Sequence, residues 1–273
     1  TQLDTQGIAI GKIENITMSG PAGSIALRTY TPVASGGTGL PALIYFHGGG
    51  FVIGDLDTHD VVCRRLAAAT NMVVVAVDYR LAPEHSFPAA SDDCLAAYRW
   101  MLDQAERLDI DRERIAIAGD SQGGKLSAVV CQLARDVGLP QPKLQVLIYP
   151  GTDLVESWPS HRVHADGPWL TEALVAWFKS HGLHGVDIHD ARASPLRARS
   201  LAGLAPALVV VAGFDPLRDE GLAYAERLRK DGVPVQLRDE LSLPHGFVQM
   251  VGISAAARAA MDAIAAELRA ALG

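Results

Sequence analysis

Four short segments hold the residue types that nucleophilic chemistry requires. Ser121 lies in Gly119-Asp120-Ser121-Gln122-Gly123, directly after the apolar run Ile115-Ala116-Ile117-Ala118. A helix-compatible stretch begins near Gly123. A tight strand-to-helix turn brings two backbones together two residues before and two residues after its apex, so both positions must be small. The apex serine is then strained and exposed. It also lies at a helix N-terminus, where N–H groups favour negative charge. Alone, this five-residue pattern is weak; the strand before it and the helix after it give it weight.

A serine hydroxyl needs a base, and the base needs an orienting acid. In sheets of this type the chain order is serine, acid, histidine. Asp215 follows the strand-like run Ala207–Ala212, and His245 follows the last strand-like run within Leu243-Pro244-His245-Gly246-Phe247. Both would sit at the carboxyl edge of a sheet with Ser121, the edge where open α/β folds bind ligands. His59, His161, His164, His181, His184 and His189 stand in polar or helical contexts and read as surface residues. Asp219 and Glu220 read as the charged first turn of a helix.

Upstream, Pro41–Phe46 ends in His47-Gly48-Gly49-Gly50-Phe51. Successive glycines let backbone N–H groups turn inward without side chains in the way. The N–H groups of Gly49, Gly50 and Gln122 would make a three-donor oxyanion hole. His47 reads as a brace for this loop. The chemistry implied is acyl transfer, most directly ester hydrolysis through an acyl-enzyme.

The elements that must position these groups can be read from the pattern. β-rich runs occupy Ile13–Met18, Ile25–Tyr30, Ala42–Phe46, Met72–Asp78, Arg114–Gly119, Leu144–Tyr149, Ala207–Ala212 and Val235–Asp239. The middle ones are continuously apolar, as in parallel strands buried on both faces. Helical stretches fall at Thr58–Ala69, Ser91–Arg107, Gly124–Asp136, Asp219–Asp231 and Ser254–Leu272. This alternation predicts a single α/β domain over 1–273, a doubly wound, mostly parallel sheet of about eight strands with helices on both faces. The first two strands have no helix between them and read as an antiparallel edge hairpin. Ser35–Gly39 reads as a flexible surface loop. Residues 153–201 separate two strands by more than a simple connection needs, and read as an inserted cap or lid. Phe51, Trp158, Trp169 and Phe178 are candidates to line a substrate pocket, although core packing explains each equally well.

Composition narrows the function classes. The chain has 273 residues, 49% of them hydrophobic, enough for a sizeable core. A net charge of −7 without a basic run argues against nucleic acid. No apolar stretch reaches the ~20 residues of a membrane span, and no signal-peptide pattern opens the chain. Cys63, Cys94 and Cys131 are far apart, with no metal-ligand spacing. They read as buried free thiols in a reducing, cytoplasmic setting.

Together the segments HGGGFVIGDL (47–56), DYRLAPEHSFPAA (78–90), GDSQGG (119–124), GFDPLRDEG (213–221) and PHGF (244–247) resemble the hormone-sensitive lipase family of α/β-hydrolases, the bacterial family IV carboxylesterases. The resemblance covers nearly the whole chain. It implies Ser121, Asp215 and His245 as triad, with Gly49, Gly50 and residue 122 as oxyanion hole. It also implies hydrolysis of short- to medium-chain carboxylic esters without cofactor or metal, and a homodimer formed through the sheet edge near the last strands. Three features depart from that family. Gln122 replaces its usual alanine and Lys125 its usual asparagine. The N-terminal cap segment is expected to be absent, because the chain begins almost at the first strand.

Other readings use parts of the same pattern. Gly119 to Gly124-Lys125 is one residue short of a phosphate-binding loop, and Leu126 stands where a Mg²⁺-ligating Ser or Thr is needed. A non-catalytic binding protein on this fold would typically lack the base. Lactonase or amidase activity would use the same triad.

Overall fold

The computed structural model describes residues 7–33 and 38–273. Residues 35–37 of the expected Ser35–Gly39 loop lie outside the described residues. In chain order the elements are β1 (Lys12–Gly20), β2 (Gly23–Thr31), β3 (Leu40–Phe46), α1 (Asp60–Thr70), β4 (Val73–Asp78), α2 (Ala89–Asp103), β5 (Ile110–Asp120) and α3 (Gln122–Asp136). They continue with β6 (Leu144–Ile148), α4 (Pro159–Val163), α5 (Glu172–Gly182), β7 (Ala207–Phe214), α6 (Arg218–Lys230), β8 (Val235–Pro244) and α7 (Ala255–Leu272).

The eight strands form one sheet in the order β1-β2-β4-β3-β5-β6-β7-β8. β1 pairs antiparallel with β2, and β2 antiparallel with β4; every other pair is parallel. The strand period of two divides the core into two layers. Val73, Val75 and Val77 face α2, α3 and α6 with Ile44, Ile117 and Val209. Val74, Ala76, Ala118 and Val210 face α1 and α7. β3 is buried along its whole length, which explains its uninterrupted apolar sequence.

α7 shows how an alanine-rich segment is fixed. Ser254 caps it by accepting the Ala257 N–H. Met261, Ile264, Leu268 and Leu272 recur at helical spacing and are buried on the sheet. Each such burial contributes roughly 1.5–3 kcal/mol.

The connection between β6 and β7 holds α4 and α5, which the strand-and-helix pattern leaves unassigned. Their signals are present but local. Pro159 stands in the first turn of α4, and the Thr171 side chain caps α5 by accepting the Leu174 N–H. α5 is mostly exposed and spreads its apolar residues over more than one face, so periodicity alone does not reveal it. No helix among the described residues is long and apolar enough to cross a membrane.

Candidate active site

Strand pairing brings the separated sequence segments to one edge. Phe46 at the end of β3 lies opposite Gly119 near the end of β5, so the glycine loop emerges beside the Ser121 turn. β6 pairs with β7, and β7 with β8. Phe214 at the end of β7 lies opposite Pro244 at the end of β8. Asp215 and His245 are the next residues, and the His245 N–H donates to the Phe214 carbonyl at 3.3 Å.

Ser121 occupies φ 55°, ψ −120°, between the end of β5 and the start of α3. A non-glycine residue held there stores roughly 1–3 kcal/mol of strain. The backbones around it touch as the pattern requires. A Cβ on Gly119 would lie 2.3 Å from Gly123, and one on Gly123 would lie 2.0 Å from the Phe46 carbonyl oxygen.

His245 Nδ1 lies 2.8 Å from Asp215 Oδ2, and Nε2 lies 2.9 Å from Ser121 Oγ. A carboxylate can only accept, so Nδ1 carries the hydrogen and Nε2 is free to accept from the serine hydroxyl. Asp215 is fully buried, and its other oxygen accepts the Leu217 N–H at 2.8 Å. Tyr149 packs on the imidazole with ring centres 4.5 Å apart.

In the glycine loop the Gly48 N–H donates to Asp120 Oδ1 at 3.0 Å. No acceptor among the described residues takes the Gly49 or Gly50 N–H. Gln122 opens α3, where the N–H has no helical partner. Gly49 adopts φ 125°, and an added Cβ would lie 1.9 Å from the Ile53 carbonyl oxygen, so no other residue fits there. His47 stacks on Tyr79 at 4.3 Å between ring centres, and its Nδ1 meets the Gly48 carbonyl at 2.7 Å. Burial, reinforced by nearby His59, lowers the His47 pKa to about 4, so it braces the loop as a neutral ring.

Two residues of this network escape the sequence reading. Asp120, 4% exposed, accepts from Tyr45 Oη at 2.8 Å and from Gly48, and lies 3.3 Å from His59 Nε2. Burial alone would raise its carboxyl, but the His59 charge and the hydrogen bonds from His59 and Tyr45 bring it below the ordinary value. Its signal was its place: an acid ending an apolar strand beside the candidate nucleophile. His59 is buried, not on the surface, because the polar stretch around it turns inward against Asp120 as α1 begins. Glu220 likewise is more than a first-turn charge. It is buried, and accepts the Thr152 N–H at 2.9 Å.

A cavity of about 320 Å³ opens over Ser121 and His245. Phe51, Trp169 and Phe178 line it, with Leu174 and Val175 of α5. Trp158 does not. Its indole N–H instead donates to Asp153 at 3.2 Å, at the start of α4, which holds the ring against that carboxylate. Cys63, Cys94 and Cys131 are buried free thiols.

The family model described as alpha/beta hydrolase fold matches residues 43–249. The chain is 46% identical to carboxylic ester hydrolase LipN of Mycobacterium tuberculosis, over 94% of this chain and 70% of that protein. It is 44% identical to esterase LipI of the same organism, over 92% and 79%. Among solved structures it is similar to EstE1, a thermostable carboxylesterase cloned from a metagenomic library. The TM-score is 0.93 at 42% identity, covering 97% of this chain and 90% of that one. Matched along most of its length in sequence and in fold, the chain belongs to the α/β-hydrolase fold family, in its hormone-sensitive lipase-like branch.

Proposed function

We propose that this protein is a serine carboxylesterase acting on short- to medium-chain esters. The observation that carries the reading is the unbroken path Asp215–His245–Ser121, with steps of 2.8 and 2.9 Å, in a cavity also lined by Gly49 and Gly50, whose N–H groups have no acceptor among the described residues. His245 Nε2 takes the Ser121 proton as Oγ attacks the ester carbonyl. The oxyanion rests on the N–H groups of Gly49, Gly50 and Gln122. His245 then protonates the leaving alcohol, and water repeats the sequence on the acyl-enzyme. Asp215 holds the tautomer and stabilises the imidazolium.

The cavity volume, at the low end for ligand pockets, supports small substrates. The lining contributed by α5 supports reading residues 153–201 as a lid over the site. The unpaired edge of β8, with Leu241 66% exposed, supports dimerisation there. Three unpaired buried thiols support a reducing, cytoplasmic setting.

The test is labelling of Ser121 by an alkyl phosphonate together with turnover of p-nitrophenyl butyrate. Ser121→Ala is expected to abolish labelling and to lower kcat by at least ~10⁴-fold. Near-normal turnover by that variant would overturn the reading. Light scattering of the purified protein decides the dimer.

A further inference from the structure

Gln122 and Lys125 follow the nucleophile by one and four residues, and both line the cavity. Three apart on α3, they share a helix face. Neither has its hydrogen-bonding capacity met by the protein. The Gln122 amide oxygen is buried and no donor among the described residues reaches it. Lys125 is 1% exposed, yet its ammonium makes no salt bridge among the described residues. Its one hydrogen-bond acceptor among the described residues is the Ala193 carbonyl, at 2.9 Å, and the Phe51 ring lies 5.6 Å away. An ammonium carries three donors. Buried polar groups in folded proteins are otherwise paired, so an unpaired acceptor and an unbridged cation on two residues of one cavity wall point to a ligand.

The third member is Glu220, also buried in the lining. Gly151 joins the three. A Cβ there would lie 2.9 Å from Gln122 Nε2 and 3.3 Å from Glu220 Oε1. Gly151 carries no side chain, so its backbone packs directly against the Gln122 amide and the Glu220 carboxylate.

We propose that Gln122, Lys125 and Glu220, arranged around Gly151, form a polar subsite that binds a hydroxyl group carried by the ester substrate. This rests on the esterase reading above. The chemistry of the wall selects the ligand group. A hydroxyl can donate to Gln122 Oε1 and accept from Lys125 Nζ. An alkyl group would leave both unpaired. A carboxylate could pair with Lys125, but it would set a further anion beside Glu220 and Asp153, which also line the cavity, and it offers no donor to Gln122. An ammonium would face Lys125. The preferred substrates are therefore hydroxy esters rather than plain alkyl esters of equal size.

Two isosteric pairs test this, with hydrolysis followed by pH-stat. Ethyl 3-hydroxybutyrate is compared with ethyl 3-methylbutyrate, which places the group on the acyl side. 2-Hydroxypropyl butyrate is compared with isobutyl butyrate, which places it on the alcohol side. The wild-type enzyme is expected to favour the hydroxyl member of one pair by about tenfold or more in kcat/KM, the worth of a well-made hydrogen bond. The pair that shows the preference identifies the side. Gln122→Leu, Lys125→Met and Gly151→Ala should each bring that ratio close to one. The ratio is taken within each variant, so it is independent of any general loss of activity. Gly151 lies outside the left-handed region, so alanine adds no backbone strain there; its Cβ, 2.9 Å from Gln122 Nε2, displaces the amide from the subsite. Ratios near one for both pairs in an enzyme that turns over p-nitrophenyl butyrate overturn the subsite alone. A wild-type preference untouched by all three substitutions also overturns it. Folded protein that hydrolyses no ester and takes no phosphonate overturns the esterase reading and the subsite together.

Discussion

Asp120→Ala separates the positioning of the glycine loop from the reacting groups themselves. The Asp120 carboxylate accepts from Tyr45 Oη at 2.8 Å and from the Gly48 N–H at 3.0 Å, both in a buried setting. Alanine leaves those two donors without a partner, whereas His59 Nε2, 3.3 Å from Asp120, still has the Gln249 amide N–H at 3.1 Å as a donor to accept from. Each orphaned buried donor costs about 1–3 kcal/mol, so a loss of about 2–6 kcal/mol in stability is expected. At the usual unfolding entropy per residue, a chain of this length should then melt about 4–10 °C lower. Activity should fall by a different route. The Gly48 N–H ties the glycine loop to Asp120, and in the proposed mechanism this tether sets where the Gly49 and Gly50 N–H groups stand relative to Ser121. With the tether gone, kcat should drop about 100-fold or more, the effect of misplacing one oxyanion donor, while KM changes little. Asp120→Asn keeps one acceptor oxygen and should lose less of both. The assay is differential scanning calorimetry alongside steady-state hydrolysis of p-nitrophenyl butyrate. An alanine variant melting within a degree of the wild type, with kcat within twofold, would refute the argument that this carboxylate organises the loop.

Three further outcomes are expected. Gly49→Ala places a Cβ 1.9 Å from the Ile53 carbonyl oxygen at φ 125°, so the loop must move. A loss of roughly 10²–10³ in kcat should follow, read by the same ester assay, and an unperturbed rate would remove Gly49 from the hole. His47 has a folded pKa of about 4 against 6.5 when unfolded. The unfolded chain therefore takes up a proton first as pH falls, and this contribution to stability, complete above pH 6.5, is lost toward pH 4. Urea unfolding across that window should slope less in His47→Asn; identical slopes would contradict the neutral-brace role. Burial pulls Lys125 down to about 8 from 10.5, so its protonated form destabilises the fold at neutral pH. Lys125→Met should raise unfolding free energy at pH 7 by about 1–3 kcal/mol. The unfolded wild-type chain binds more protons between pH 8 and 10.5, so wild-type stability should rise there and close the gap. A methionine variant less stable than wild type at pH 7 would count against a strained buried cation.

The sequence alone determined the scaffold and the order of the candidate reactive groups. Continuous apolar runs mark parallel strands because both faces of such strands are buried, and local turn chemistry marks Gly119 and Gly123 because a Cβ at either would strike backbone. Ser121, Asp215 and His245 were legible for the same reason: each follows the end of a strand, and strand ends share an edge. Tertiary structure decided what lies between those points. His59 and Glu220 look like surface charges in sequence, yet both are buried, because burial depends on which distant segments pack over a residue. Asp120 became the anchor of the glycine loop only when β3 and β5 paired and placed Gly48 within hydrogen-bond reach. Trp158, Trp169 and Phe178 are equally aromatic in sequence, but only the latter two reach the cavity, since α4 turns Trp158 toward Asp153. Gln122 and Lys125 are local substitutions on a helix start. Their consequence, an unpaired buried acceptor and an unbridged cation on one wall, exists only where α3, Gly151 and α6 converge.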